Sequence, residues 1–109
     1  MFALLPIVAL CAAADPAPGY TVYIRELTVP ERTLRQKVTG SETVQDAVGS
    51  LPRPAIATGM DLWIVRRGED DKARVLLIDW TGISQRGLTM TNYILLDGDR
   101  LFLQARPVE

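Results

Sequence analysis

Hydrophobic residues after position 20 recur mostly at every second position, the period of a strand that buries one of its faces. Residues 20–27 contain Thr, Val, Tyr and Ile in such an order, and residues 33–38 follow after a turn around Pro30. β-Branched and aromatic residues favour strands, whereas proline favours turns. We therefore predict that these two segments form a β-hairpin, which Gly40 closes.

A short helix is predicted directly after the hairpin. Ser41 has a side chain that suits a helix N-cap, and Gly49 ends the pattern. Three apolar residues fall at helical spacing between them, namely Val44, Ala47 and Val48. Because this apolar stripe is narrow, we expect the helix to pack one face across a sheet.

The second half of the chain returns to strand patterns after residues 51–59, which contain two prolines and predict an irregular crossing segment. Strands are predicted at 61–66, 73–80 and 101–105, and a polar loop at 67–72 joins the first two. A turn or single helical turn is predicted at 81–87. A tight turn is predicted at 97–99, after residues 93–96. This order predicts an α+β fold that is β-grasp-like, a mixed sheet packed against one short helix.

The first fourteen residues differ from all others, because they carry no charge and every charged residue follows them. An apolar run at 2–10 precedes three alanines at 12–14, which is typical of a secretory signal peptide cut after Ala14. A membrane span needs about 20 apolar residues, so no transmembrane span is expected here. A buried N-terminal strand or helix is the alternative.

We accordingly predict a signal peptide at 1–14, a proline-rich linker at 15–19 and one domain at 20–109. The protein is expected to be exported to the periplasm or the cell envelope. No lysine or arginine precedes the apolar run, which leaves open whether Met1 is the true start.

Cys11 is the only cysteine of the chain and lies inside the predicted signal peptide. A chain cut after Ala14 would therefore contain no disulfide, no thiolate zinc site and no cysteine nucleophile. The alternative is a lipoprotein acylated at Cys11, because residues 8–11 resemble a lipobox. Leu10 stands where that signal usually has a small residue.

The composition of the chain disfavours nucleic-acid binding and catalysis. A chain of 109 residues, 48% hydrophobic and 23% charged, is expected to form a single globular domain. The net charge is −1 and the basic residues are scattered among acidic ones, so nucleic acid is not an expected partner. Histidine is absent and no serine lies in a Gly-x-Ser-x-Gly turn. We predict a binding protein without a cofactor, not an enzyme.

The acidic residues do not predict a catalytic or metal site. Asp97 and Asp99 flank Gly98, a spacing more typical of a tight turn than of a general acid and base. The two aspartates at 70–71 supply fewer oxygens than the roughly six to eight that calcium takes. Arg100, directly after the turn, is expected to pair with a nearby carboxylate.

Two tryptophans are the candidate binding residues, since each lies near the end of a predicted strand beside charged neighbours. Alternation puts Leu62 and Ile64 on one face of their strand and Trp63 on the other. If the helix covers the first face, Trp63 lies on the outer one. The predicted ligand- or partner-binding residues are therefore Trp63, Arg67 and Trp80, and the alternative is core or sheet-edge packing.

Three segments carry a resemblance to a known family. They are Thr43-Val44-x-Asp46-Ala47 in the helix, the strand that ends at Arg66, and the tail Asn92-Tyr93-x-Leu95-x-x-Gly98-Asp99-Arg100-Leu101. In this order and over residues 20–106 they resemble the soluble-ligand-binding β-grasp (SLBB) domains of bacterial polysaccharide export proteins.

The resemblance implies an exported accessory module that contacts a polysaccharide or another envelope protein of an export system. The alternative is a structural oligomerisation domain without a small ligand, because modules of this family can pack side by side into rings. The first hairpin of this chain lacks both glycines that the family usually has there. The Gly-Gly pair that usually follows the helix in the family is also absent. These departures lie in loops, where contacts with a ligand or a partner would be expected.

Overall fold

The computed structural model describes residues 18–106, and the predicted signal peptide, with Cys11, lies outside them. The strands are β1 (Gly19–Arg25), β2 (Arg32–Lys37), β3 (Met60–Arg67), β4 (Ala73–Ile78) and β5 (Arg100–Ala105). The helices are α1 (Val44–Gly49), a 3₁₀ helix (Pro54–Gly59) and α2 (Trp80–Arg86). No helix within the described range combines the length and the hydrophobicity that crossing a membrane requires.

The five strands form one mixed sheet in the order β2-β1-β5-β3-β4. β1 and β5 run parallel, and the other neighbouring strands are antiparallel. The predicted hairpin corresponds to β1 and β2, and the predicted pair around the polar loop corresponds to β3 and β4. The expected α+β, β-grasp-like arrangement is confirmed. The segment at 81–87, predicted as a turn or single helical turn, lies in and directly after α2.

The core lies between one face of the sheet and the segment that runs through α1 and the 3₁₀ helix. Alternate residues of the three central strands are buried in it, as period-two alternation requires. The helical residues predicted to face the sheet are buried with them. The principal members are Tyr20, Val22, Ile24, Val44, Ala47, Val48, Leu62, Ile64, Leu101 and Leu103.

The start of α1 corrects one prediction, because Thr43 and not Ser41 is the N-cap. Thr43 Oγ1 accepts a hydrogen bond from the backbone N–H of Asp46 at 3.3 Å, and the Asp46 carboxylate accepts one from the Thr43 N–H at 3.1 Å. This reciprocal capping box satisfies two N–H groups that a helix start leaves unpaired. Ser41 lies in the preceding loop, where its own N–H bonds to Thr39 Oγ1 at 3.3 Å.

Two further boundaries differ from the sequence pattern. The strand predicted to run to Trp80 ends at Ile78, because Asp79 caps α2 by accepting a hydrogen bond from the Gly82 N–H at 3.0 Å. The crossing segment predicted as irregular contains the 3₁₀ helix, whose proline at its first turn suits a helix start. Residues 93–96 contribute only an isolated bridge between Ile94 and Thr43.

Tyr20 connects β1 to the chain before α1. Its ring is fully buried, and its hydroxyl donates a hydrogen bond to Glu42 Oε2 at 2.8 Å. Burial, and after it the hydrogen bond to Glu42, raises the pKa of Tyr20 well above its ordinary value. The phenol therefore remains protonated and serves as a donor at neutral pH.

Val48→Asp tests the packing of α1 on the sheet. Val48 is buried in the core, so an aspartate there would be an unpaired charge, and we expect the free energy of unfolding to fall by about 3 kcal/mol or more. Urea unfolding followed by circular dichroism measures this loss. Gln45→Asp on the exposed side of α1 is the matched control, with an expected change within about 0.5 kcal/mol. Equal stability of both variants would contradict the assigned face.

Candidate functional site

The outer face of the sheet, as we call it, lies opposite α1 and the 3₁₀ helix. Strand register places one side chain from each strand in a single line across it. From β2 to β4 these are Thr33, Tyr23, Phe102, Trp63 and Leu77. Its three rings, those of Tyr23, Phe102 and Trp63, are here named the aromatic row.

The rings of the aromatic row are stacked. The centroids of Tyr23 and Phe102 lie 4.7 Å apart with an angle of 11° between the planes. Those of Trp63 and Phe102 lie 5.3 Å apart with an angle of 9°. Each such pair contributes about 0.5–1.5 kcal/mol beyond the burial of its area. The row is therefore a rigid, preformed apolar surface.

Phe102 has a neighbouring ring on each side, so the ring faces that remain for a ligand are the far faces of Trp63 and Tyr23. Trp63 is the larger platform, and its far face adjoins β4. There Leu77 is 71% exposed and Val75 is 60% exposed. The apolar surface of the row thus continues to the free edge of the sheet.

Polar groups adjoin the row on its other side. The guanidinium carbon of Arg25 lies 4.9 Å from the centroid of Phe102, a cation–π contact worth about 0.5–1 kcal/mol at an exposed site. The same guanidinium donates a hydrogen bond to Gln104 Oε1 at 3.4 Å and pairs with Glu31. Hydrogen-bonding groups and apolar rings therefore lie side by side, as they do in sites that orient a polar ligand.

The position predicted for Trp63 on the outer face is confirmed, since Leu62 and Ile64 are buried while Trp63 is partly exposed. Sequence reasoning missed Tyr23 and Phe102. Each of them alternates with buried aliphatic residues in its own strand, so the signal for its face is present in the sequence. Their contact with Trp63 depends on the strand order.

The other two predicted site residues are not brought to the aromatic row. Arg67 is four residues beyond Trp63 in β3, about 13 Å along the strand, and its guanidinium pairs with Asp71 at 2.9 Å. Trp80 begins α2 and packs against the core. Its predicted place at a strand end is wrong, because the cap at Asp79 starts a helix there.

A small cavity lies on the outer face at the end of the sheet that contains the β3–β4 loop. We name it the guanidinium cavity; its volume is about 90 Å³ and its lining residues are Val65, Arg67, Ala73, Gly98 and Arg100. Gly98 has a φ of +86° in the turn before β5, a conformation that side chains other than glycine rarely adopt. Arg67 thus belongs to this cavity rather than to the row.

The aspartates of the β3–β4 loop are occupied by ion pairs. Asp70 pairs with Arg74 at 3.2 Å, and Asp71 pairs with Arg67 at 2.9 Å. In the part of the chain that the structure describes, no three Asp, Glu, His or Cys side chains come together as a metal site would need.

A buried carboxylate fixes the turn that lines the guanidinium cavity. Asp99 is 1% exposed, and its two oxygens accept hydrogen bonds from Arg66 Nε at 2.9 Å and Nη2 at 2.7 Å. The Leu96 N–H donates to the same carboxylate at 2.8 Å, and the Asp99 carbonyl accepts from the Thr21 N–H at 3.0 Å. The hydrogen bond to Asp99 raises the pKa of Arg66 further.

The local ion pair expected for Arg100 is wrong. Arg66 takes the adjacent Asp99 carboxylate, because successive residues of a strand point to opposite faces and Arg100 lies on the outer one. Among residues 18–106 the exposed Arg100 guanidinium has no ion pair and no hydrogen bond.

Asp99→Asn tests the buried ion pair. The change keeps the shape of the side chain but leaves the partly buried Arg66 without its counter-charge, so we expect a loss of about 2–4 kcal/mol in unfolding free energy. Asp97→Asn is the matched control, because Asp97 is exposed and its acceptor bond from the Gly19 N–H survives in asparagine. Urea unfolding at neutral pH measures both, and similar losses would contradict the role given to Asp99.

Comparison with known proteins identifies no family for this chain. No protein-family model matches the chain, and no curated protein matches it at a significant level. A function for the outer face is therefore inferred from its own side chains and from the sequence resemblance.

Proposed function

We propose that the protein is an exported accessory binding module, related to the SLBB domains of polysaccharide export, whose outer face binds a glycan of the cell envelope. The observation that carries this proposal is the aromatic row on the face of the sheet opposite the helices. The uncharged segment at 1–14 supports export, and the three matching segments at 43–47, 66 and 92–101 support the family.

A sugar ring presents an apolar C–H face and a rim of hydroxyl groups. The partly exposed indole of Trp63 offers an apolar surface for the first, beside the exposed Leu77. Arg25 and Gln104 offer donors and acceptors for the second, next to Phe102. A surface of about five strands' width suits an extended chain of sugars better than a single small molecule.

Binding without catalysis is part of the proposal. The chain contains no histidine, the side chain that most often serves as a general base. The buried carboxylate of Asp99 is engaged by Arg66 and by the Leu96 N–H, so its oxygens have structural partners. Asp61, two residues from Trp63 on the same face, pairs with Arg106 at 2.8 Å, and Glu31 pairs with Arg25, so these carboxylates also have structural partners.

Trp63→Ala tests the glycan proposal. Removal of the indole should abolish binding on an envelope-glycan array while the domain stays folded, because the side chain is only partly buried and stacks on one ring. The expected cost in unfolding free energy is about 1–2 kcal/mol.

The matched control is Trp80→Phe, which changes the other tryptophan on the core side and leaves the outer face intact. It should bind as the unchanged protein does. Full binding by Trp63→Ala, or no glycan bound by the unchanged protein, would contradict the proposal.

A second candidate function is self-association, and the free edge of the sheet favours it. β2, the edge strand on one side, carries three cations, Arg32, Arg35 and Lys37, which guard against strand pairing. β4, the edge strand on the other side, carries the exposed Val75 and Leu77 and one arginine. A second copy that pairs along β4 would place its own edge strand beside both residues and extend the outer face across two sheets.

Leu77→Lys tests self-association. A lysine on the edge strand should turn an oligomer into a monomer in sedimentation velocity, measured without glycan over a wide concentration range. Leu88→Lys is the matched control, since Leu88 is also exposed but follows α2 and is not part of β4. A monomeric unchanged protein at the highest concentration would eliminate this candidate.

A further inference from the structure

The guanidinium cavity has a charge character that the aromatic row lacks. Arg67 and Arg100 both line it, together with the backbone of the Gly98 turn. Its other lining residues, Val65 and Ala73, are apolar. A concave surface of this kind strengthens the attraction between a guanidinium and an anionic group.

The two carboxylates that flank Gly98 are already engaged. Asp99 pairs with Arg66, and Asp97 accepts a hydrogen bond from the Gly19 N–H at 2.9 Å. Arg100 remains exposed without an ion pair or hydrogen bond inside residues 18–106. Its donors are therefore available to a ligand.

Arg67 can join Arg100 at low cost. Its ion pair with Asp71 is 2.9 Å long, but the two side chains are 66% and 80% exposed. Exposed pairs of this kind contribute about 0–1 kcal/mol, so a ligand can replace Asp71 as the partner. Two guanidinium groups then face one cavity, an arrangement that suits the paired oxygens of a carboxylate or a phosphate.

The cavity also lies within reach of the sugar platform. Arg100 is opposite Val65 in the register, two residues from Trp63 and therefore about 7 Å along the strand. This spacing is comparable to the length of one sugar unit. The volume of the guanidinium cavity, about 90 Å³, exceeds the space of one water molecule several-fold. The cavity therefore has room for an acidic group but not for a whole oligosaccharide.

We propose that the guanidinium cavity makes the outer face selective for acidic glycans, with Arg100 and Arg67 binding a carboxylate or phosphate group of a chain that packs on Trp63. This inference rests on the proposed glycan function and names its ligand class. Neutral glycans would contact the aromatic row alone and bind more weakly.

The test compares oligogalacturonate with its methyl ester by calorimetric titration of the whole chain. The ester lacks the negative charges and carries one methyl group at each carboxyl. We expect the acid to bind at least about tenfold more tightly than the ester, and added salt to reduce this difference. Arg100→Gln should remove the preference and leave the affinity for the ester unchanged. Arg86→Gln, an exposed arginine on α2, is the matched control and should keep the preference.

Equal binding of acid and ester, unchanged by Arg100→Gln, would overturn the acidic preference while the glycan function stands. Inorganic phosphate, titrated at constant ionic strength against chloride, examines the cavity without a sugar. Shifts of the Gly98 and Arg100 amide resonances, lost in Arg100→Gln, would support the cavity even if neither saccharide bound and the glycan function failed. No shift with phosphate would overturn the cavity as an anion site.

Discussion

Each strand of the sheet places alternate side chains on opposite faces, and α1 with the 3₁₀ helix supplies a covering layer for one of those faces. Burial of Leu62 and Ile64 therefore forces Trp63 to the other side. The same rule applied to β1 and β5 brings Tyr23 and Phe102 beside it. The aromatic row follows from the way the core is closed.

The buried carboxylate of Asp99 connects stability to the candidate site. It binds Arg66 of β3 through its side chain and Thr21 of β1 through its carbonyl, directly before β5 begins. The three central strands are thereby held together at one end of the sheet. Because Asp99 points inward, the next residue, Arg100, points outward into the guanidinium cavity. One residue thus determines both the ion pair with Arg66 and the direction in which Arg100 points.

The two edges of the sheet differ in chemistry, and this difference separates the two candidate functions. The β2 edge is cationic, whereas the β4 edge continues the apolar surface that begins at Trp63. A glycan on the outer face would use the middle of the sheet, and a second copy would use the β4 edge. The two modes are compatible, because a pair of sheets joined along β4 would present two aromatic rows on one surface.

The sequence by itself determined the α+β class, the hairpin, the helix face of Val48 and the outward direction of Trp63, since these depend on local propensity and on side-chain period. It did not determine where the caps lie, because Thr43 and Asp79 act through hydrogen bonds that compete with nearby alternatives. The tertiary structure alone decided which strands are neighbours. That order places Phe102 between Tyr23 and Trp63 and gives Asp99 to Arg66, because contacts between residues far apart in the chain have no local signal.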